Sequence, residues 1–177
     1  MVIGFDASRA FVAQPTGTEN YSYQLLKALL KIDRKNFYRI YVNPFNLSSR
    51  PSPPEADEWR DLFQQPLMQE IPRLLAVARN DNYEVKPISW PRLWTQGGLA
   101  LECLKNPPDV LFIPAHTLPI IHRLGLKTVV TIHDLGAQYL PQYHQFPHKY
   151  YLSWSTVYAV NHATKIIAVS ESTKRDL

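Results

Sequence analysis

The run Val129-Val130-Thr131-Ile132-His133-Asp134-Leu135-Gly136 constrains this chain more than any other stretch. Apolar, largely β-branched residues lead straight into a His-Asp pair and then a Leu-Gly. The pattern predicts a buried strand over 127–132 that delivers two polar side chains to its C-terminal tip. In open α/β sheets, ligands bind outside the carboxyl ends of the strands. A tip carrying His-Asp therefore points to a site and not merely to a fold.

Comparable runs recur between helical stretches. Residues 2–5, ending at Asp6, read as the first strand. A polar loop over 7–18, broken by Pro15 and Gly17, leads to a helix in which Tyr21, Leu25, Leu26, Leu29 and Leu30 fall at helical spacing. Thr18 is its expected N-cap. Residues 38–42 form the next strand, and this βαβ unit implies parallel pairing and a right-handed crossover. Further strands are expected over 85–89, 109–113 and 165–169, the last two buried. Helices are expected over 93–104, over 149–162, and from Glu171 onward behind a Ser170 cap. Residues 43–54, 114–125 and 136–148 read as loops, and 55–82 as helical pieces broken by Pro66 and Pro72. About six strands alternating with helices predict a Rossmann-like, doubly wound, mainly parallel α/β sheet.

Composition narrows the function classes. A chain of 177 residues, 45% apolar and 19% charged, has the makings of one ordinary folded domain. Its net charge of +4 is mild, and the lysines and arginines are scattered rather than gathered into the basic stripe of a nucleic-acid binder. Cys103 is the single cysteine, which excludes an intrachain disulfide and suits a reducing compartment. The N-terminus reads as a strand and not as a signal peptide, and no stretch is long and apolar enough for a membrane span. The helix opening at Glu171 has barely two turns before Leu177, and so short a helix is marginal alone. The chain is thus expected to be the N-terminal part of a longer protein.

Five constellations could carry chemistry. His133 could be a general base oriented by Asp134, or a hydrogen-bonding group for a sugar or phosphate, or a satisfied histidine at a strand end. A metal is disfavoured, because no further ligand stands at HExxH or HxH spacing. The loop from Arg9 to Asn20 joins a strand to a helix N-terminus, where free N–H groups and a positive dipole end suit an anion, and Gly17 permits close backbone approach. It lacks GxGxxG and the P-loop ending, and Glu19 competes for the same positive end; an ordinary capped connection is the alternative. Pro114-Ala115-His116-Thr117 follows a buried strand and could line the same cleft, or be a proline-rich turn. Tyr151, Trp154 and Tyr158 share a helix face that reads first as core, with a carbohydrate-stacking or membrane-interface face as the sharper alternative. Ser170 reads as a helix cap, since the G-x-S-x-G of a nucleophile elbow is absent.

Together these segments resemble the N-terminal domain of the family 4 retaining glycosyltransferases, which have the two-lobed GT-B architecture. The resemblance is carried by Ile3-Gly4-Phe5-Asp6-Ala7-Ser8-Arg9, Thr16-Gly17-Thr18-Glu19-Asn20-Tyr21, Pro108-Asp109-Val110-Leu111-Phe112-Ile113-Pro114, Thr131-Ile132-His133-Asp134-Leu135, and Ala168 to Leu177, in the family's order. Residues 43–106 match poorly, where acceptor specificity varies. The resemblance implies that residues 1–177 form the acceptor-side lobe, with the nucleotide-sugar held mainly by a second domain through a basic pair and an E-x7-E motif. It implies that His133 contacts the transferred sugar and that Asp134 supports it or lines the acceptor side. It places the Gly17 loop, with Thr18, near donor phosphates and acceptor, and Arg9 and Asn20 as substrate-binding residues near the same cleft; His116 joins them as a candidate from its position just beyond a buried strand. It also implies retention of configuration, a glycan or lipid acceptor, no metal and no cofactor. Such acceptors are often at the cytoplasmic membrane face, so the expected location is cytoplasmic with peripheral contact at the inner face. Residues 1–177 alone are expected to bind donor poorly and not to turn over. The competing readings are a dehydrogenase-like Rossmann domain, which the missing acid after Tyr41-Val42-Asn43 disfavours, and a stand-alone nucleotide- or carbohydrate-binding module.

Overall fold

A computed structural model describes residues 1–12, 15–44, 82–134 and 148–177, with backbone alone over 148–152. Its strands are β1 (Val2–Asp6), β2 (Phe37–Val42), β3 (Tyr83–Pro87), β4 (Val110–Ile113), β5 (Lys127–Ile132) and β6 (Lys165–Ala168). The α-helices among the described residues are α1 (Gly17–Ile32), α2 (Ala100–Lys105), α3 (His148–His162) and α4 (Glu171–Asp176), and a π-helical turn, Thr95–Leu99, runs into α2. The six strands form one parallel sheet in the order β3-β2-β1-β4-β5-β6. The order reverses between β1 and β4, where Gly4 pairs with Arg39 on one side and Leu111 on the other. That reversal opens a crevice beyond the strand C-termini and fixes where a ligand sits.

Side-chain alternation along the strands builds a core on each face. Phe5, Tyr38, Ile40 and Val42 pack with Leu26 and Leu30 of α1. Tyr41, Leu111, Ile113, Val130 and Ile132 pack on the other face with Leu99, Cys103 and Ala159. Burial on both faces is why β4 and β5 read as near-continuous apolar runs. Full burial of Leu26 alone stabilises by about 2 kcal/mol. Burial pushes the Cys103 thiol up to about 12, so it is a core residue and no nucleophile.

Several expectations shift. The N-cap of α1 is Thr16 and not Thr18: Glu19, three residues on, accepts the Thr16 backbone N–H at 3.1 Å and also its hydroxyl, closing a capping box. β3 begins two residues early, because Tyr83 pairs with Tyr38 and the Glu84 carboxylate takes the Arg39 guanidinium. β6 is an edge strand, half-exposed along its length rather than buried. The expected core face of α3 is inverted. Ser155, Thr156 and Ala159 are buried, while Trp154 is half-exposed, because small residues let the helix lie close on the sheet. The expected helix over 93–104 opens as the π-helical turn, since Trp90 lies where side chains at Gly97 and Gly98 would be. The broken helical pieces over 55–81, the loop over 136–147, most of the loop over 43–54 and the Tyr151 side chain lie outside the described residues. Among the described residues, no helix is long and apolar enough to cross a membrane.

Candidate active site

Three strand tips and one helix N-terminus meet at the crevice. At the tip of β1, the buried Asp6 accepts the Ser8 backbone N–H at 3.0 Å, and Ala10 N–H closes a turn onto the Ala7 carbonyl at 3.0 Å. Burial raises the Asp6 carboxyl above its ordinary range, and the Ser8 bonds and Arg9 charge only partly offset this. Ala7, Ala10 and Phe11 are buried, so this loop is moulded onto the core despite its polar sequence.

At the tip of β5, His133 Nε2 lies 2.8 Å from the Pro114 carbonyl at the tip of β4. A carbonyl can only accept, so Nε2 carries the hydrogen. The neutral ring then offers Nδ1 as an acceptor, and the imidazolium offers Nδ1–H as a donor. Tyr21 of α1 sets its ring against His133 at 4.8 Å between centroids and 88° between planes, and its hydroxyl lies 3.4 Å from Thr131 Oγ1. His116 approaches from the other side, at 5.5 Å and 64°. The buried Thr173 hydroxyl donates to the His133 carbonyl at 3.2 Å, while Ser170 Oγ caps α4 by accepting Thr173 N–H at 3.1 Å. His133 is thus held from four directions, which is how a positioned catalytic or binding group is built.

His116 is the site's least satisfied polar group. Its Nδ1 is buried without a hydrogen-bond partner among the described residues. Burial, reinforced by the neighbouring His133 and Arg9 and opposed by Asp134, lowers it to about 4, so it is neutral at physiological pH. A buried polar atom without a partner is rare and marks a place where a ligand hydroxyl or a water would bond.

The structure distributes the remaining expected residues unevenly. Arg9 is half-exposed and bonds Glu19 at 3.0 Å, so its charge is shared with a carboxylate. Glu19 also takes the Thr16 N–H, so one of the N–H groups expected to meet an anion at this helix end is engaged. The Thr16 bonds and Arg9 outweigh its partial desolvation and hold its carboxyl below the usual range. Gly17 faces open space, with nothing within 4 Å of where a Cβ would stand. The Thr18 carbonyl accepts the Ser22 hydroxyl at 2.9 Å, and the Asn20 backbone N–H meets the Thr16 carbonyl at 2.9 Å. Asp134 is exposed, and the partner that orients His133 through Nε2 is Pro114. Sequence reasoning placed Tyr21 in the helix pattern and in the Thr16–Tyr21 segment of the resemblance, but not among the site residues. Its position four residues after Gly17, on the face opening the helix, was the available signal. Among the described residues, no three His, Cys, Asp or Glu side chains are grouped to hold a metal ion.

A family model described as Glycosyltransferase Family 4 matches residues 15–177, most of the chain. The chain belongs to glycosyltransferase family 4. No match was found among curated proteins or solved structures. At the family level the activity is sugar transfer from a nucleotide-sugar donor to an acceptor. The parallel sheet with its β1/β4 reversal is the Rossmann-like lobe expected of a GT-B glycosyltransferase. The matched region contains α1, β4, β5 and α4, the elements that surround His133.

Proposed function

We propose that this glycosyltransferase lobe is the acceptor-side half of a retaining GT-B enzyme, and that His133 is the group it contributes to the reacting sugar. The observation that carries the reading is the convergence of the β5 tip, the β4 tip and the first turns of α1 on one imidazole. That imidazole has one nitrogen spent on a backbone carbonyl, and in this reading the other bonds a substrate hydroxyl. Preorganised hydrogen bonding of this kind is effective where charge develops in a transition state.

In this reading His116 Nδ1 bonds a sugar or acceptor hydroxyl, and Asp134 lines the acceptor side. Gly17, Thr18 and Asn20 form the rim on the α1 side, and Arg9 adds charge there. The closed capping box makes the α1 end a poorer phosphate cradle than a free helix terminus, which supports assigning the donor diphosphate mainly to a second domain. Both walls of a bilobal cleft are needed to exclude water and fix the sugar. Residues 1–177 alone then bind donor weakly and do not turn over, and the acceptor is a glycan or lipid.

The test is nucleoside-diphosphate release and sugar transfer by the protein across a panel of nucleotide-diphosphate-sugars, with anomeric configuration read by NMR. Isolated residues 1–177 are titrated calorimetrically in parallel. Tight, saturable donor binding by that segment without transfer by the whole protein would favour a binding module. Inversion of configuration would overturn the retaining assignment.

A further inference from the structure

Trp90 follows the C-terminal end of β3 by three residues, and its backbone N–H bonds the Ile88 carbonyl at 3.0 Å. All six strands are parallel, so the tip of β3 lies on the same edge of the sheet as the tips of β4 and β5. A Cβ at Gly97 would stand 2.4 Å from Trp90 Cε2 and Nε1 and 2.8 Å from Cζ2. Such distances to three consecutive ring atoms put that Cβ over the plane of the indole and not at its rim. The bare Gly97 backbone therefore takes one face of the ring. Trp90 is nonetheless 39% exposed, so its other face and rim are turned to solvent. Trp94 is the core member of the pair: it is buried, and its Nε1–H donates to the Ile88 carbonyl at 3.1 Å. Trp90 has no such role.

The segment around this ring is built unlike an ordinary connection. Leu93 holds φ at +51°, a left-handed conformation that a bulky side chain rarely adopts and that collects at ligand sites. The π-helical turn after it is a form that recurs at functional sites. Gln96 on that turn holds the loop beyond His116 through the Leu118 carbonyl and the Ile120 N–H, so the ring is fixed to one wall of the crevice. Ser89 and Arg92, on either side of Trp90 in the chain, are exposed polar groups. A flat aromatic face beside polar side chains suits a pyranose, whose C–H face stacks on the ring while its hydroxyls meet the polar groups. Four strand spacings separate β3 from β5, about 19 Å at about 4.8 Å each. A ring on Trp90 is thus not the sugar at His133 but one farther along the acceptor. We propose that Trp90, backed by Gly97, is a stacking platform for a distal sugar ring of the acceptor, which makes the acceptor an oligosaccharide or the glycan of a glycoconjugate and not a bare lipid. This inference rests on the proposed function.

The test uses the methyl glycosides of β-glucose, β-galactose and α-mannose, each as monosaccharide and as homotrisaccharide. At least one trisaccharide is expected to bind the protein saturably and to perturb a component of tryptophan emission that Trp90→Phe removes. With that sugar as acceptor, the preference for trisaccharide over monosaccharide is read as the ratio of their kcat/KM values. The ratio is expected to fall about tenfold in Trp90→Ala, the scale of one lost stacked ring. It should stay within about threefold of wild type in Trp90→Phe, which keeps a flat ring over Gly97. Gly97→Ala, which displaces the indole without removing it, should lower the ratio in the same direction. Far-UV circular dichroism checks that the variants stay folded. No binding by any trisaccharide, an unchanged ratio in Trp90→Ala, or a Phe variant as impaired as the Ala variant would each overturn the proposal. So would a wild-type dimer in sedimentation velocity that Trp90→Ala dissociates, since the ring would then face a second copy. Transfer with an unchanged ratio sinks the platform and leaves the transferase reading. Trp90-dependent trisaccharide binding by a protein that transfers to no acceptor sinks that reading and leaves a sugar platform.

Discussion

His133 Nε2 donates to the Pro114 carbonyl at 2.8 Å, so the tips of β5 and β4 are tied by the side chain that the site turns on. The same bond that steadies the crevice engages Nε2, so under the proposed function Nδ1 is the nitrogen that meets substrate. Structural and chemical roles of His133 can therefore be separated by substitution.

His133→Gln keeps an N–H that can reach Pro114 and removes the nitrogen equivalent to Nδ1. It should leave stability within about 0.5 kcal/mol of wild type while lowering transfer about a hundredfold or more, the usual loss for a positioned acid-base group. His133→Ala should lose transfer to the same degree and also about 1 kcal/mol of stability, from the missing hydrogen bond. Urea unfolding paired with a transfer assay reads both. Near wild-type turnover in the Gln variant would remove His133 from the chemistry.

Gly17 offers a cleaner separation. A Cβ at this position meets nothing within 4 Å, and position 17 opens α1, where alanine is well tolerated. Gly17→Ala should leave the unfolding midpoint unchanged or slightly raised. If substrate approaches the bare backbone, KM should rise roughly tenfold, the effect of one methyl clash at a ligand surface. Unchanged KM would make Gly17 an ordinary helix start.

The extent to which the fold was legible follows from where neighbours matter. β5 was readable to the residue because its apolar run is bounded by Gly125 and by His133-Asp134, both local signals. β6 has the same apolar look, yet it lies at the sheet edge, and strand order is a non-local property. The capping box at Thr16 and Glu19 was written in the sequence, but two threonines two residues apart compete for the role and only Glu19's reach decides. On α3 the aromatic residues suggested the core, whereas Ser155, Thr156 and Ala159 took it, because helix-to-sheet distance rewards small side chains there. His133 and His116 were legible as candidates from their strand-tip positions. Tyr21 was not, since its contact with His133 spans more than a hundred residues of chain.

His116 makes a pH signature. Burial lowers it from 6.5 to about 4 in the folded chain. Between those values the unfolded chain binds a proton that the folded chain does not, so stability is complete above pH 6.5 and falls as pH drops toward 4. The total loss is on the order of 3 kcal/mol. His116→Gln should flatten the stability curve by that amount across this window and leave it unchanged in slope above. Urea melts at half-unit pH intervals supply both curves. Parallel curves would mean that His116 takes up its proton equally in both states.

The π-helical turn before α2 sets the position of the loop beyond His116. Gln96 Nε2 donates to the Leu118 carbonyl at 3.0 Å, and its Oε1 accepts the Ile120 N–H at 2.9 Å. The turn keeps its place because Trp90 lies against Gly97, where a Cβ would fall 2.4 Å from the indole. Gly97→Ala alone should destabilise by about 1 kcal/mol, since a clash worth about 1–3 kcal/mol exceeds the helix-propensity gain of about 1 kcal/mol. In a Trp90→Ala background the clash is gone and only the gain remains, so Gly97→Ala should stabilise by up to about 1 kcal/mol. The sign reversal gives a coupling of about 1–3 kcal/mol in a double-mutant cycle measured by urea unfolding. Additive effects would show that the glycine is required by its own backbone and not by Trp90. The ordering of the loop between His116 and the exposed 120–124 crest would then have to be sought in Gln96 alone.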